Sequence, residues 1–153
     1  MKKAFLLGCA VALQAAVLPY LDVYGVSFNI VLALLVLYGF AEGSWRRFLG
    51  HVCAAGLVLD ALSGAPFGVF LAGLLAAIGF SAAGTLFLPH ENAFHFAALV
   101  AFSSAWFFLA VFGYGQFVVS LGASVTFAGA LASVAYNTAG ALALYPFRKW
   151  ITS

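Results

Sequence analysis

The chain has 153 residues, of which 66 % are apolar and 7 % charged, with a formal net charge of +2 and a mean hydropathy of +1.15. Soluble domains carry about 25 % charged residues, so this composition excludes an ordinary water-soluble enzyme and points to a polytopic membrane protein. Six basic residues against four acidic ones provide no basic surface for nucleic acid.

Charges and turn residues divide the chain into apolar runs at 4–21, 26–41, 48–62, 67–88, 94–114 and 120–146. A helix needs about 20 residues to cross the ~30 Å hydrocarbon core, so six crossings fit, two of them short. Barrel strands would alternate apolar and polar residues over about ten positions, and none of the runs does. The expected fold class is all-α, with residues 1–153 forming one domain of six transmembrane helices in one bundle. Its connections are too short to hold a soluble catalytic or receptor domain.

The first run opens with "MKKAFLLGC", whose Leu6-Leu7-Gly8-Cys9 resembles a lipobox. Only Ala4 to Gly8 precede the cysteine, whereas a signal peptide needs an apolar core of about 7–15 residues, so this segment is expected to stay as a helix. Ala4, Gly8, Ala12 and Ala16 recur on it at four-residue spacing, as do Gly64, Gly68, Ala72 and Ala76 in the fourth run and Ser120, Ser124, Ala128 and Ala132 in the sixth. In lipid such ridges let backbones approach closely, either within the bundle or against a partner, and a chain rich in Ala and Gly favours the internal use. Cys9 and Cys53 read as small packing residues.

Asp22 and Gly25 mark the first external loop, and "EGSWRR", Glu42 to Arg47, a tight cytoplasmic turn. The basic residues form three pairs, Lys2 with Lys3, Arg46 with Arg47, and Arg148 with Lys149. Two crossings lie before Arg46 and four between Arg47 and Arg148, so the positive-inside rule puts every pair and both termini in the cytoplasm. Trp45 and Trp150 fit an aromatic belt at that interface, and His51 a snorkelling polar residue.

The third run carries the most informative stretch, "GLVLDALSGAPFG", Gly56 to Gly68. Asp60 stands 13 residues beyond Arg47, which puts it roughly 20 Å from the cytoplasmic boundary, on a face shared with Cys53, Gly56, Ser63 and Gly64. An ionised carboxylate facing lipid near mid-bilayer costs about 2.5–3.5 kcal/mol, so this face is expected to pack against protein. Three roles are open to Asp60: binding a proton or cation, accepting backbone N–H bonds at the "SGAP" turn, or holding a partner helix. The chain has no buried Lys or Arg to pair with it, and a proton path needs more than one relay group. The turn-organising and interface roles are therefore favoured. Pro66 suits the first turn of the next helix.

"PHENAFH", Pro89 to His95, is a cytoplasmic loop without Lys or Arg. Its histidines, His90 and His95, stand five apart rather than four, so they do not share a helix face in the manner of a zincin signature. Counting from the basic pairs puts Gln14 and Asn137 each about 15 Å into the membrane, and Ser103 and Ser104 near that level. These side chains can hydrogen-bond across helices one, five and six as structural glue, with a ligand pocket as the alternative. No Gly-rich phosphate loop or nucleophile beside a histidine is present, and no catalytic residue, metal site or cofactor is expected.

The segment Phe28 to Gly79 resembles the rod shape-determining protein MreD family. The resemblance is carried by Asn29 at the start of the second helix, Gly50 in the third, and Gly56, Leu57, Asp60, Ser63, Gly64, Pro66 and Gly68. Phe28 stands where the family usually has proline, and "HVCAAG" where it tends to have a Gly-Phe pair. The resemblance implies a noncatalytic scaffold in the bacterial cytoplasmic membrane, associated with MreC, linking cytoplasmic MreB filaments to lateral peptidoglycan synthases. Arg46 and Arg47 are then candidates for cytoplasmic or anionic-lipid contact besides setting topology. The alternative is the substrate-binding subunit of an energy-coupling-factor vitamin transporter, a six-helix protein thought to share the MreD fold. Such subunits use an Ala-xxx-Ala pattern in the first helix, which Ala12 and Ala16 match.

Overall fold

A computed structural model describes residues 2–17, 28–41, 45–63, 67–85, 92–118 and 127–152. They form helices α1 (Lys2–Ala16), α2 (Ile30–Ala41), α3 (Trp45–Ser63), α4 (Val69–Thr85), α5 (Ala93–Val118) and α6 (Phe127–Leu144). A 3-10 turn, Tyr145–Phe147, leads into the short α7 (Arg148–Thr152), and no strand occurs among the described residues. The all-α expectation is met.

The helix α2 is the hub. Its sequence, IVLALLVLYGFA, is apolar on every side, which suits a helix enclosed either by other helices or by lipid. Val31 to Tyr38 are all buried, and α2 touches every other helix. Leu32, Leu35, Leu74, Ile78, Leu99 and Val100 are among the most deeply buried residues of the core around it.

Neighbouring helices run antiparallel. Phe70 near the start of α4 meets Phe107 in the second half of α5, while Phe80 further along α4 stacks on Trp106 at 3.7 Å and meets Phe102 edge-on. At one end of the molecule the Tyr38 hydroxyl donates to the Lys3 carbonyl at 3.4 Å, and Phe48 of α3 packs under Gly39. The Tyr145 ring lies 5.3 Å from Phe96 near the start of α5, and the Arg148 guanidinium lies over Tyr145 at 4.2 Å. The described members of all three basic pairs thus gather at the same end.

By length and composition one described segment is able to cross a membrane, Ala93–Gly113 of α5, with 21 residues and only 28 % of its most apolar stretch buried. Shorter apolar segments occupy Lys3–Ala16, Ile30–Gly39 and Val69–Ala83. Several of these helices start later than the hydropathy runs because caps define their starts. Asn29 accepts the first intrahelical bond of α2, and Gly68 that of α4.

Candidate functional site

Asp60 is 4 % exposed on the face of α3 that packs on α4. Its Oδ1 accepts the Phe70 N–H at 2.8 Å and its Oδ2 the Leu71 N–H at 3.3 Å. These are the second and third residues of α4, whose N–H groups have no intrahelical acceptor. An ordinary N-cap side chain would serve them, but the cap position is Gly68, which has none. Asp60 supplies that carboxylate from the preceding helix. The negative charge also sits at the positive end of the α4 dipole, a favourable placement worth about 0.3–2 kcal/mol depending on burial.

Two glycines make this geometry possible. Gly68 has φ 98°, a conformation that strains any residue with a Cβ. Gly56, one turn before Asp60 on the same face, lies so close to α4 that an added Cβ would stand 2.7 Å from the Leu71 Cα. Without that approach the carboxylate would fall short of the α4 amino end. Ser63 is exposed, its hydroxyl donating to the Asp60 carbonyl at 3.4 Å. Gly64 and Pro66 lie outside the described residues, as do Asp22, Gly25, Glu42, His90, Glu91, Ser120 and Ser124.

A second capped end lies at the start of α2. The Asn29 side chain accepts the Leu32 N–H at 2.9 Å, the usual N-cap bond, while the Gln14 Oε1 from α1 accepts the Val31 N–H at 3.0 Å. From α6 the Asn137 Oδ1 accepts the Asn29 N–H at 2.6 Å. Phe28 rests against Gly140, where a Cβ would collide with its ring, which holds α6 against this corner. Gln14 and Asn137 therefore do act as glue, but on the backbone of α2 rather than among helices one, five and six. Ser103 and Ser104 do not join them: both are fully buried in α5, and neither hydroxyl has a hydrogen-bond partner among the described residues.

Arg46 and Arg47 are exposed on the first turn of α3. Cys9 and Cys53 are free thiols, and no group of three potential metal ligands occurs among the described residues. The α1 ridge departs from the expectation of internal packing. Ala4, Gly8, Ala12 and Ala16 all face outward, the first three on the wall of an open apolar groove between α1 and α3. Close helix contacts fall instead at Gly56 and Gly73, and Gly140 takes the Phe28 ring, because an approach is set by what lies opposite and not by the spacing of small residues. Sequence reasoning passed over Gly73, Gly140 and Ser81, which carry no distinguishing signal in a chain this rich in small residues.

The class these features define is an all-helical protein with at least one helix able to cross a membrane, in which the buried side chains Asp60, Asn29 and Asn137 cap helix ends. No protein-family model matches the chain, and no curated protein or solved structure matches it.

Proposed function

We propose that the chain is a noncatalytic membrane scaffold of the MreD kind, crossing the bacterial cytoplasmic membrane six times with both termini inside. In this reading it joins an MreC-like membrane protein and, through it, MreB filaments and the lateral peptidoglycan synthases. The observation that carries it is the use of Asp60. The residue on which the resemblance turns has both carboxylate oxygens engaged by the α4 backbone, so the motif shapes the bundle rather than presenting a reactive group. The gathering of the basic pairs at one end supports the topology, and the outward Phe5, Phe94, Leu109 and Leu131, all more than half exposed, support lipid as the surroundings.

Copurification from native membranes tests the reading: an MreC-like partner is expected with the tagged chain, and depletion is expected to round rod-shaped cells. Normal shape and no such partner would overturn it. The outward Ala12 and Ala16 favour the second reading, a transporter subunit that meets its coupling partner through α1. That reading requires a vitamin-sized molecule retained on the purified chain in native mass spectrometry.

A further inference from the structure

The chain leaves α6 through Tyr145–Phe147, a 3-10 turn that contains Pro146. A proline has no N–H for the helical ladder and crowds the preceding turn, so α6 does not continue through it as a regular helix. The residues that follow change neighbours: α6 packs on α5 and α2, whereas α7 packs on α2 and α1. The last described segment therefore crosses the end of the bundle that carries the basic pairs instead of prolonging α6.

Along Tyr145–Thr152 the side chains fall into two sets at three-residue spacing. Ile151, 5 % exposed, faces the bundle, and on the same side the Arg148 guanidinium lies over the Tyr145 ring, itself against Phe96. Phe147 and Trp150 face outward, 59 % and 60 % exposed, with Lys149 exposed beside them. The same end of the molecule carries Phe5, Trp45 and Phe94, each more than half exposed, and the exposed Arg46 and Arg47. Asp60, the one carboxylate among the described residues, is at the far end of α3. Outward aromatic rings interspersed with cations match the phosphate and glycerol zone of a membrane leaflet, where the rings leave water while the charges keep it. A soluble acidic partner would answer the charges but leave the rings in water until it bound.

We propose that Tyr145–Thr152 is an interfacial foot: Ile151 pins it to the bundle, Phe147 and Trp150 enter the headgroup–acyl boundary, and Lys149 gathers anionic lipid phosphates around it. The proposal rests on the membrane reading above and is independent of which partner the chain recruits.

The experiment is quenching of single tryptophans by nitroxide-labelled lipids in vesicles that hold the full chain. One variant keeps Trp150 and another keeps Trp106, the remaining tryptophans being changed to Phe. Trp106, near the middle of α5, serves as the reference. If α5 crosses the bilayer, a label deep in the acyl chain quenches Trp106 more than a label beside the glycerol. For Trp150 the reverse order is expected, with the shallow label stronger by about twofold or more. Shallow-labelled phosphatidylglycerol is expected to quench Trp150 about twofold more than equally labelled phosphatidylcholine, and the surface change Lys149→Gln to remove most of that preference. Trp150 open to aqueous iodide and untouched by either label, with Trp106 quenched as stated, would overturn the proposal and leave this face to a soluble partner. Equal quenching by the two lipids would overturn the anionic preference. A Trp106 untouched by both labels would instead sink the membrane reading, and the proposal with it.

Discussion

The amino ends of α2 and α4 solve one problem in different ways. Each helix starts with N–H groups that have no acceptor, and in a low-dielectric interior each unmatched donor is expensive. At α4 a single carboxylate from the adjoining helix, ten residues away in sequence, takes two of them. At α2 three neutral amides take one donor each, and two of them come from α1 and α6, the latter 108 residues distant. The local solution concentrates charge and depends on one residue. The distributed one has no charge to desolvate and ties three helices together at a corner.

Removing the carboxylate is therefore the most damaging change. Asp60→Leu leaves two half-buried donors unpaired and loses the dipole interaction, an expected loss of about 3 kcal/mol in unfolding measured in detergent, with Asp60→Asn costing about 1 kcal/mol. If the two substitutions prove equally severe, a role beyond capping is required. Gly56→Ala comes next, since the new methyl meets backbone rather than a yielding side chain, for a cost of about 2 kcal/mol. Combined with Asp60→Asn it is expected to cost less than the sum of the two, because a displaced α4 has already lost the cap.

At the distributed corner single losses are smaller. Asn137→Ala is expected to cost about 1.5 kcal/mol and Gln14→Leu about 1 kcal/mol, each read from thermal unfolding. Hydrogen exchange sharpens the contrast: Asn137→Ala is expected to expose the Asn29 amide selectively, while Asp60→Leu opens Phe70 and Leu71 together. Smallest of all, Ser103→Ala is expected to change stability by no more than about 0.5 kcal/mol, because its hydroxyl makes no bond to a described residue.

Much of the local half of this comparison was legible in the chain. The single acid in an apolar run had to face protein, and a turn with Gly68 ahead of the next helix offered it donors within one connection. What the reading did not reach was the particular pair of amides, Phe70 and Leu71, one turn past "SGAP". At α2 the equal depths of Gln14 and Asn137 followed from counting residues, but their destination did not. Counting gives height along an axis, and only the order in which helices surround α2 brings both side chains to the same corner. The α1 ridge failed for the same reason, since a run of small residues permits close approach without saying which helix arrives.

The sequence by itself determined that the chain is helical and that Asp60 must find donors, because composition and the cost of an unpaired charge act on each segment alone. The tertiary structure alone decided that α2 is enclosed, that Asn137 caps it across 108 residues, and that Gly56, Gly73 and Gly140 lie too close to their neighbours to take a Cβ. Those outcomes depend on helix order and rotation, which arise from many weak contacts summed over the bundle and leave no mark in any one stretch of residues.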